Sequence, residues 1–338
     1  MAEETWDPLF GDEELDGSIF GAYASGAAVI DVDLAGLPSL SIPQRSGEDA
    51  LQTARFVWLC SVRFARILAA WALGPTSPAA APGFKAVELG AGCGLCAAAL
   101  AAARRGHAQR LSEQGRVGGK LLRFAPVLAT DLAMALPLLH DTVHQNGLAG
   151  YVAAAALDWQ QALAEWSEPP PLNEELETAH QEGFDRTPVG AGGAALGRQP
   201  PQQARAASQA HVAAGAAMAQ TGAQWAALAT ADLIFAGDCT WSDDSRSLLL
   251  ELVARACRAG AVALLMHEDR GDRDVLEKAL AGLCGVTVRC LLGSAGTEPE
   301  TSLLYMVHGM KPRLEPHALA AGFADPNVAT PVVAISAR

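Results

Sequence analysis

The string VELGAGCGL, residues 87–95, constrains this chain more than any other part of it. A short apolar run, Lys85–Leu89, ends in three alternating glycines, Gly90, Gly92 and Gly94, and the alanine-rich Cys96–Arg105 behind them reads as a helix. Glycine between a strand and a helix lets the backbone approach a ligand closely, and the first helical amides are then free to receive an anionic group. The dinucleotide pattern G-x-G-x-x-G would place a glycine at position 95, which is Leu95. Glu88 argues the same way. A carboxylate two residues before the turn repels a pyrophosphate but tolerates an ammonium or a sulfonium group.

The rhythm around this turn predicts an α/β fold. Strand-like runs recur at Val127–Thr130, Tyr151–Leu157, Asp232–Ala236, Ala261–Met266, Val286–Leu292 and Leu303–His308. Helical segments lie between them at Met134–Gln145, Leu248–Arg258 and Val275–Leu283. Alternation of this kind implies a mostly parallel sheet. Only Gly293–Ser302 separates the last two strands, too little for a crossover helix, so they are expected to form an antiparallel pair at the sheet edge. Upstream, AAVIDVDL and SLSIP suggest a hairpin, and Phe56, Cys60, Phe64, Ile67 and Trp71 share one helical stripe between Leu51 and Leu73.

Two stretches break the rhythm. His107–Ala125 is basic and glycine-bearing, and Ser167–Gly222 has six Pro, seven Gly and only six Leu, Val or Phe in 56 residues. The second is read as a disordered insertion, because such a composition buries too little apolar surface to offset ordering. The expected organisation is an acidic N-terminal segment over 1–45, one domain over 46–312 interrupted by 107–125 and 167–222, and a C-terminal tail over 313–338. The formal charge is −13, but residues 1–50 hold eleven Asp and Glu against one Arg, so no basic face for nucleic acid is expected. Seven scattered cysteines read as reduced thiols, and the acidic N-terminus as no secretory leader, which together predict a cytoplasmic protein with the nucleus open. No membrane association is expected, and the chain is read as a monomer.

Three further carboxylates fall where chemistry would need them. Asp131 closes the strand VLATD, where an acid can accept both ribose hydroxyls of an adenosine. Asp158-Trp159, after the next strand, offers a carboxylate and an indole for an adenine ring. Asp238 follows DLIFAG at the end of a fourth strand.

VELGAGCGL, VLATDLAMALPLLHDTVHQN, LDW and DLIFAGDCTW, in that order, resemble the seven-β-strand S-adenosylmethionine-dependent methyltransferases. More narrowly, the chain is similar to methyltransferase family 16, the methyltransferase-like protein-lysine methyltransferases. SIPQRSG followed by FVWLCSVRFARIL extends the similarity upstream, so that it covers roughly residues 40–166 and 225–310. The resemblance implies a Rossmann-like seven-stranded sheet, mostly parallel with an antiparallel edge strand and helices on both faces. It also implies S-adenosyl-L-methionine as cofactor, bound by Trp58, Gly90, Ala91, Gly92, Asp131, Trp159 and Gly237, to which the charge argument above adds Glu88. Asp238 and Trp241 would face the methyl acceptor, taken as a lysine side chain of a protein. Where the family has tyrosine this chain has Trp241, which keeps a cation-binding face and loses the hydroxyl.

Other patterns have plainer readings. Cys93-Gly-Leu-Cys96 has no partner pair at zinc spacing, and His140-Asp-Thr-Val-His144 lacks the glutamate of a metalloprotease, so no metal is expected. His267-Glu-Asp-Arg270 either lines the acceptor cleft or is only a charged loop. Three functions stay open: protein-lysine methylation, methylation of another residue type or a small molecule, and a non-catalytic cofactor-binding module.

Overall fold

Strands in this chain alternate their side chains between two helical layers, and the sheet so formed carries the site along one edge. The computed structural model describes residues 29–34, 36–44, 56–74, 77–114, 124–166, 223–240, 242–292, 302–323 and 334–335. The Ser167–Gly222 insertion lies outside them. A hairpin of β1 (Val29–Val32) and β2 (Leu40–Pro43) precedes α1 (Leu59–Leu73). Then follow β3 (Ala86–Leu89), α2 (Leu95–Glu113), β4 (Val127–Asp131), α3 (Leu136–Gln145), β5 (Val152–Ala156) and α4 (Trp159–Glu165). The second half holds α5 (Ala223–Thr230), β6 (Leu233–Gly237), α6 (Asp243–Arg258), β7 (Val262–Glu268) and α7 (Arg273–Ala281). It ends with β8 (Thr287–Leu292), β9 (Ser302–His308), α8 (Pro316–Phe323) and β10 (Ala334–Ile335).

The sheet order is β10-β8-β9-β7-β6-β3-β4-β5. Strands β5, β4, β3, β6 and β7 are mutually parallel. The expected antiparallel pair is present toward one edge. Within it β9 is the inner member, antiparallel to both β7 and β8. The seven expected strands are joined by a two-residue eighth, β10, antiparallel to β8, from the stretch read as a tail.

Period-2 alternation divides the sheet between two cores. Leu233, Phe235, Val262, Leu264 and Met266 pack with α1, α2 and α3 on one face. Ile234, Ala236, Ala263 and Leu265 pack with α4, α6 and α7 on the other. On α2, Ala97, Ala98, Ala99, Ala101, Ala102 and Ala103 are all buried, and side chains this small let α1 lie close against it. Among the described residues no helix is long and apolar enough to cross a membrane.

Three boundaries differ from the sequence reading. Helix α2 runs on to Glu113, so the first seven residues of the supposed interruption at His107–Ala125 are helical. Helix α6 begins at Asp243 rather than Leu248, because Ser242 and Ser245 form a reciprocal capping box that holds polar residues in the first turn. The tail also contributes α8, whose Leu319 is buried in the core of the first face.

The hairpin packs Ile30, Val32, Leu40 and Ile42 into the core of the first face, and one side chain ties its backbone to α3. Asn146, at the end of α3, accepts from the Ser41 amide at 2.9 Å and donates to the Ser41 carbonyl at 2.8 Å, as a neighbouring strand would. Replacing Asn146 with alanine is expected to lower unfolding free energy by about 1–2 kcal/mol, the value of two partly buried hydrogen bonds. Amide exchange at Ser41 should accelerate while exchange in β3 and β6 does not; equal acceleration everywhere would mean that the hairpin is not a separate unit.

Candidate active site

Register brings the sequence-predicted residues together. Strand β3 pairs Leu89 with Thr130 of β4, and Glu88 with Phe235 of β6. Carried on to Gly90, one residue past Leu89 and two past Glu88, the two registers bring Gly90, Asp131 and Gly237 to the carboxyl edge side by side. Asp131 also pairs with Ala156 of β5, which brings Asp158 and Trp159 to the same edge. The order reverses here, since β4 and β5 extend one way from β3 and β6 and β7 the other, and open α/β sheets bind ligands at such a point.

The turn itself is left-handed at Gly90 (φ 65°), Gly92 (φ 54°) and Gly94 (φ 79°). A Cβ at Gly94 would stand 2.2 Å from Leu139 Cδ1 of α3, and one at Gly90 would stand 2.5 Å from Cys239 Sγ and 3.2 Å from the Trp159 ring. Backbone geometry and space both demand glycine at these two positions. Ala91 donates to the Thr130 carbonyl at 2.9 Å, and Thr142 of α3 donates to the Cys93 carbonyl at 2.6 Å, so the loop is tied to both neighbours.

Asp131 is half-buried, and each of its oxygens holds one amide: Gly92 donates to Oδ2 at 2.7 Å and Leu132 to Oδ1 at 2.7 Å. Burial pushes its pKa up while these amides pull it down. A carboxylate oxygen can accept more than one bond, so both remain competent to receive ribose hydroxyls. Glu88 is placed differently. It is fully enclosed beneath the turn, and its Oε2 accepts from Ala97 in the first turn of α2 at 2.9 Å. Here it caps a helix rather than lining an open cleft. Burial raises its pKa to about 8, against the lowering by the Ala97 amide.

On the other side of the turn, Asp158 caps α4 by accepting from Gln160 and Gln161 at 2.8 and 3.1 Å, which sets Trp159 in the first helical position with its ring facing Gly90. Gly237 faces α1: a Cβ there would meet Ser61 Oγ at 3.2 Å and Phe64 Cδ1 at 3.6 Å.

Asp238 is the one non-glycine residue with positive φ (55°) among the described residues, and its side chain is 3% exposed. Arg270, in the loop after β7, grips it with both terminal nitrogens, NH1 to Oδ1 at 2.9 Å and NH2 to Oδ2. The same guanidinium lies 5.7 Å from the centre of the Trp58 ring. Trp58 is the residue before α1, half-buried. Trp241 lies outside the described residues. Of the two readings of His267-Glu-Asp-Arg270, the structure places Arg270 against the predicted acceptor acid.

Sequence reasoning missed a chain of buried polar contacts behind this acid. Thr240 Oγ1 lies 2.7 Å from His267 Nδ1, and His267 Nε2 lies 2.9 Å from Asp272 Oδ1. Asp272 Oδ2 accepts from Arg246 at 2.8 Å, and Arg246 donates back to the Thr240 carbonyl at 3.0 Å. This loop of four side chains holds Thr240, two residues past Asp238, by its hydroxyl and its carbonyl. The polar runs that follow two apolar stretches, DLIFAG and AVALLM, were its one signal in the sequence, and the parallel pairing of β6 with β7 brings Asp238 and His267 to adjoining strand ends. His267, Asp269 and Asp272 offer ligand atoms within 4.8 Å of one another, but both His267 nitrogens already have partners. The C-x-x-C thiols are spent on packing: Cys93 Sγ lies 3.4 Å from the Phe56 carbonyl and Cys96 Sγ 3.5 Å from that of Ser61.

A reversed sheet with β9 set between β7 and β8, a glycine turn at the switch point and an acid closing β4 make an α/β fold like that of the seven-β-strand methyltransferases. Residues 37–173 match the model of a family described as lysine methyltransferase, which bears out the resemblance to methyltransferase family 16 over that stretch. None of the curated proteins matches the sequence. Solved structures similar to this chain include cofactor-bound Rv0187 from MTB, with 12% identity over 88% of this chain and 91% of that one and a TM-score of 0.36. A second is precorrin 8W decarboxylase from Methanobacterium thermoautotrophicum, with 14% identity, 70% and 92% coverage and a TM-score of 0.32. A third is the apo form of the S-adenosylmethionine-dependent methyltransferase SibL, with 14% identity, 74% and 55% coverage and a TM-score of 0.35. Likeness of this size says nothing of substrate. The residues fit S-adenosyl-L-methionine, the cofactor that the resemblance implies: bare backbone at Gly90 and open acceptor positions on Asp131.

Two outcomes check this geometry. Gly90→Ala should weaken S-adenosylmethionine binding at least ~10-fold by calorimetry, because a left-handed alanine costs about 1–2 kcal/mol before its methyl meets Cys239. Glu88 has a folded pKa above its unfolded one, so its contribution is fully present below about pH 4.5 and is lost as pH rises to about 8. Between those limits the wild type should lose stability relative to Glu88→Gln, by a few kcal/mol at most. Parallel melting curves from pH 5 to 8 would refute the assignment.

Proposed function

We propose that the protein is an S-adenosylmethionine-dependent protein-lysine N-methyltransferase. One observation carries the reading: a buried carboxylate, Asp238, stands one residue past the β6 edge position that aligns with Gly90 and Asp131, and it already holds a cation there. An acid so placed suits an acceptor that arrives as an ammonium. The description of the matched family supports the same reading.

The cofactor supplies a methyl group already activated on a sulfonium, so the protein's part is alignment, deprotonation and exclusion of water. Asp131 and the glycine turn hold the nucleoside end. Trp159 and Cys239 close over Gly90 and keep solvent away from the turn. Asp238 draws the acceptor in by charge. The lysine must shed its proton to solvent before its lone pair can attack carbon in line with the departing sulfur. The Thr240–His267–Asp272–Arg246 loop holds Asp238 in register for this. A soluble, monomeric protein acting in the cytoplasm or nucleus accords with the composition.

The test is labelled-methyl transfer to lysine-rich extracts, followed by acid hydrolysis and identification of the methylated amino acid. Methyl-lysine is the expected product. Asp238→Asn should lower kcat/KM by about 100-fold, the scale of one lost charged contact in the transition state, while cofactor affinity stays within a few-fold. Label that survives proteolysis and filtration as a small molecule would refute the protein acceptor. Binding of cofactor without transfer to any extract would refute the enzyme.

A further inference from the structure

Asp238 cannot be left alone. Its side chain is buried, its backbone is held in the left-handed region, and its amide is committed to the Met266 carbonyl at 2.8 Å. A carboxylate enclosed this way needs a cation within reach, because burial of an unpaired charge is strongly unfavourable. Arg270 is that cation, and its guanidinium both bonds the carboxylate and lies over the Trp58 ring, 5.7 Å from its centre. A carboxylate and an aromatic face around one group is the chemistry that recognises ammonium and guanidinium groups in general.

The two partners are unequally anchored. Asp238 sits on a strand end, while Arg270 lies on the short loop between β7 and α7, beside Gly271 at φ 85°, and keeps 29% of its side chain exposed. Its head can turn into water by side-chain rotation; that of Asp238 cannot. Exchange of Arg270 for an incoming ammonium would leave the number of buried ion pairs unchanged, so the cost of opening the site is met as the acceptor arrives.

We propose that Trp58 and Asp238 together form the binding site for the cationic side chain of the methyl acceptor, and that Arg270 fills this site until the acceptor displaces it. The inference rests on the reading above that Asp238 faces the acceptor. It assigns the aromatic face to Trp58, which the family resemblance gave to the cofactor. Arg270 thereby sets a threshold: only an acceptor able to outcompete a bidentate internal guanidinium is admitted, which disfavours neutral side chains.

The full-length protein, saturated with the demethylated cofactor product, is titrated with n-butylammonium chloride, a lysine side chain without its backbone, and binding is followed by NMR of the probe. Arg270→Ala should bind the probe ~10-fold more tightly than wild type, the scale of one charge-assisted hydrogen bond removed from competition. Arg270→Lys should fall between them, since it keeps the charge but not the fork. Trp58→Leu in the Arg270→Ala background should erase the gain. Methylguanidinium should bind Arg270→Ala and compete with n-butylammonium. Thermal melts confirm that each variant is folded.

Equal or weaker probe binding by Arg270→Ala, with calorimetric cofactor affinity intact, would overturn the proposal and make Arg270 a permanent brace for Asp238. Loss of cofactor affinity in Trp58→Leu with probe affinity unchanged would also overturn it and return Trp58 to the cofactor. The same titrations without the cofactor product separate this inference from the proposed function. Failure of wild type to bind either sulfur compound refutes the methyltransferase reading, whereas the ~10-fold gain of cofactor-free Arg270→Ala still supports the cation site.

Discussion

The parallel pairing of β3 on both sides is the constraint on which the remainder of the site depends. A strand bonded to β4 and β6 in matching register brings three strand ends to one line, and the chain must then leave that line without colliding with either neighbour. The glycine turn is the solution. Ala91 and Gly92 bond back to β4, Gly94 slips beneath Leu139, and α2 departs across one face of the sheet. Shift that register by one residue and the Gly92–Asp131 bond, the indole over Gly90 and the position of Asp238 are lost together.

Three acids stand within this small region, and the fold treats each differently. Glu88 is enclosed with one helical amide for company, so burial outweighs the hydrogen bond and holds it protonated near neutral pH. Asp131 has two amides, which offset part of the burial that pushes its pKa up and leave acceptor positions to spare. Asp238 has a guanidinium. The gradation from capping group through hydroxyl acceptor to cation holder is a matter of what surrounds each carboxyl group, since the side chains are almost alike.

Much of this was legible in residue order. Alternating apolar runs and helical stripes marked the strands and helices because burial on two faces imposes periods of 2 and 3.6. The turn was legible because glycine is the residue that left-handed backbone and close approach require. Boundaries set by capping were harder to place: the first turn of α6 is polar, and only the reciprocal bonds of Ser242 and Ser245 make it helical. The last strands posed a different problem. A short connection signals an antiparallel pair, but whether the later strand lies outside or inside its partner is decided by which neighbour it covers. Here β9 takes the inner place against β7.

The sequence by itself therefore determined the fold class and the glycine turn, and it pointed to Asp131, Trp159 and Asp238 as site residues, because each rests on local chemistry or on motif order along the chain. Only the tertiary structure decided what those groups meet. Arg270 is 32 residues from Asp238, and Trp58 is more remote still from both. No periodicity reports such a meeting, because it arises from two parallel strands ending together and a helix crossing above them. Glu88 shows the same in reverse: its position in the sequence suggests a ligand, and its burial under α2 gives it a helix to cap.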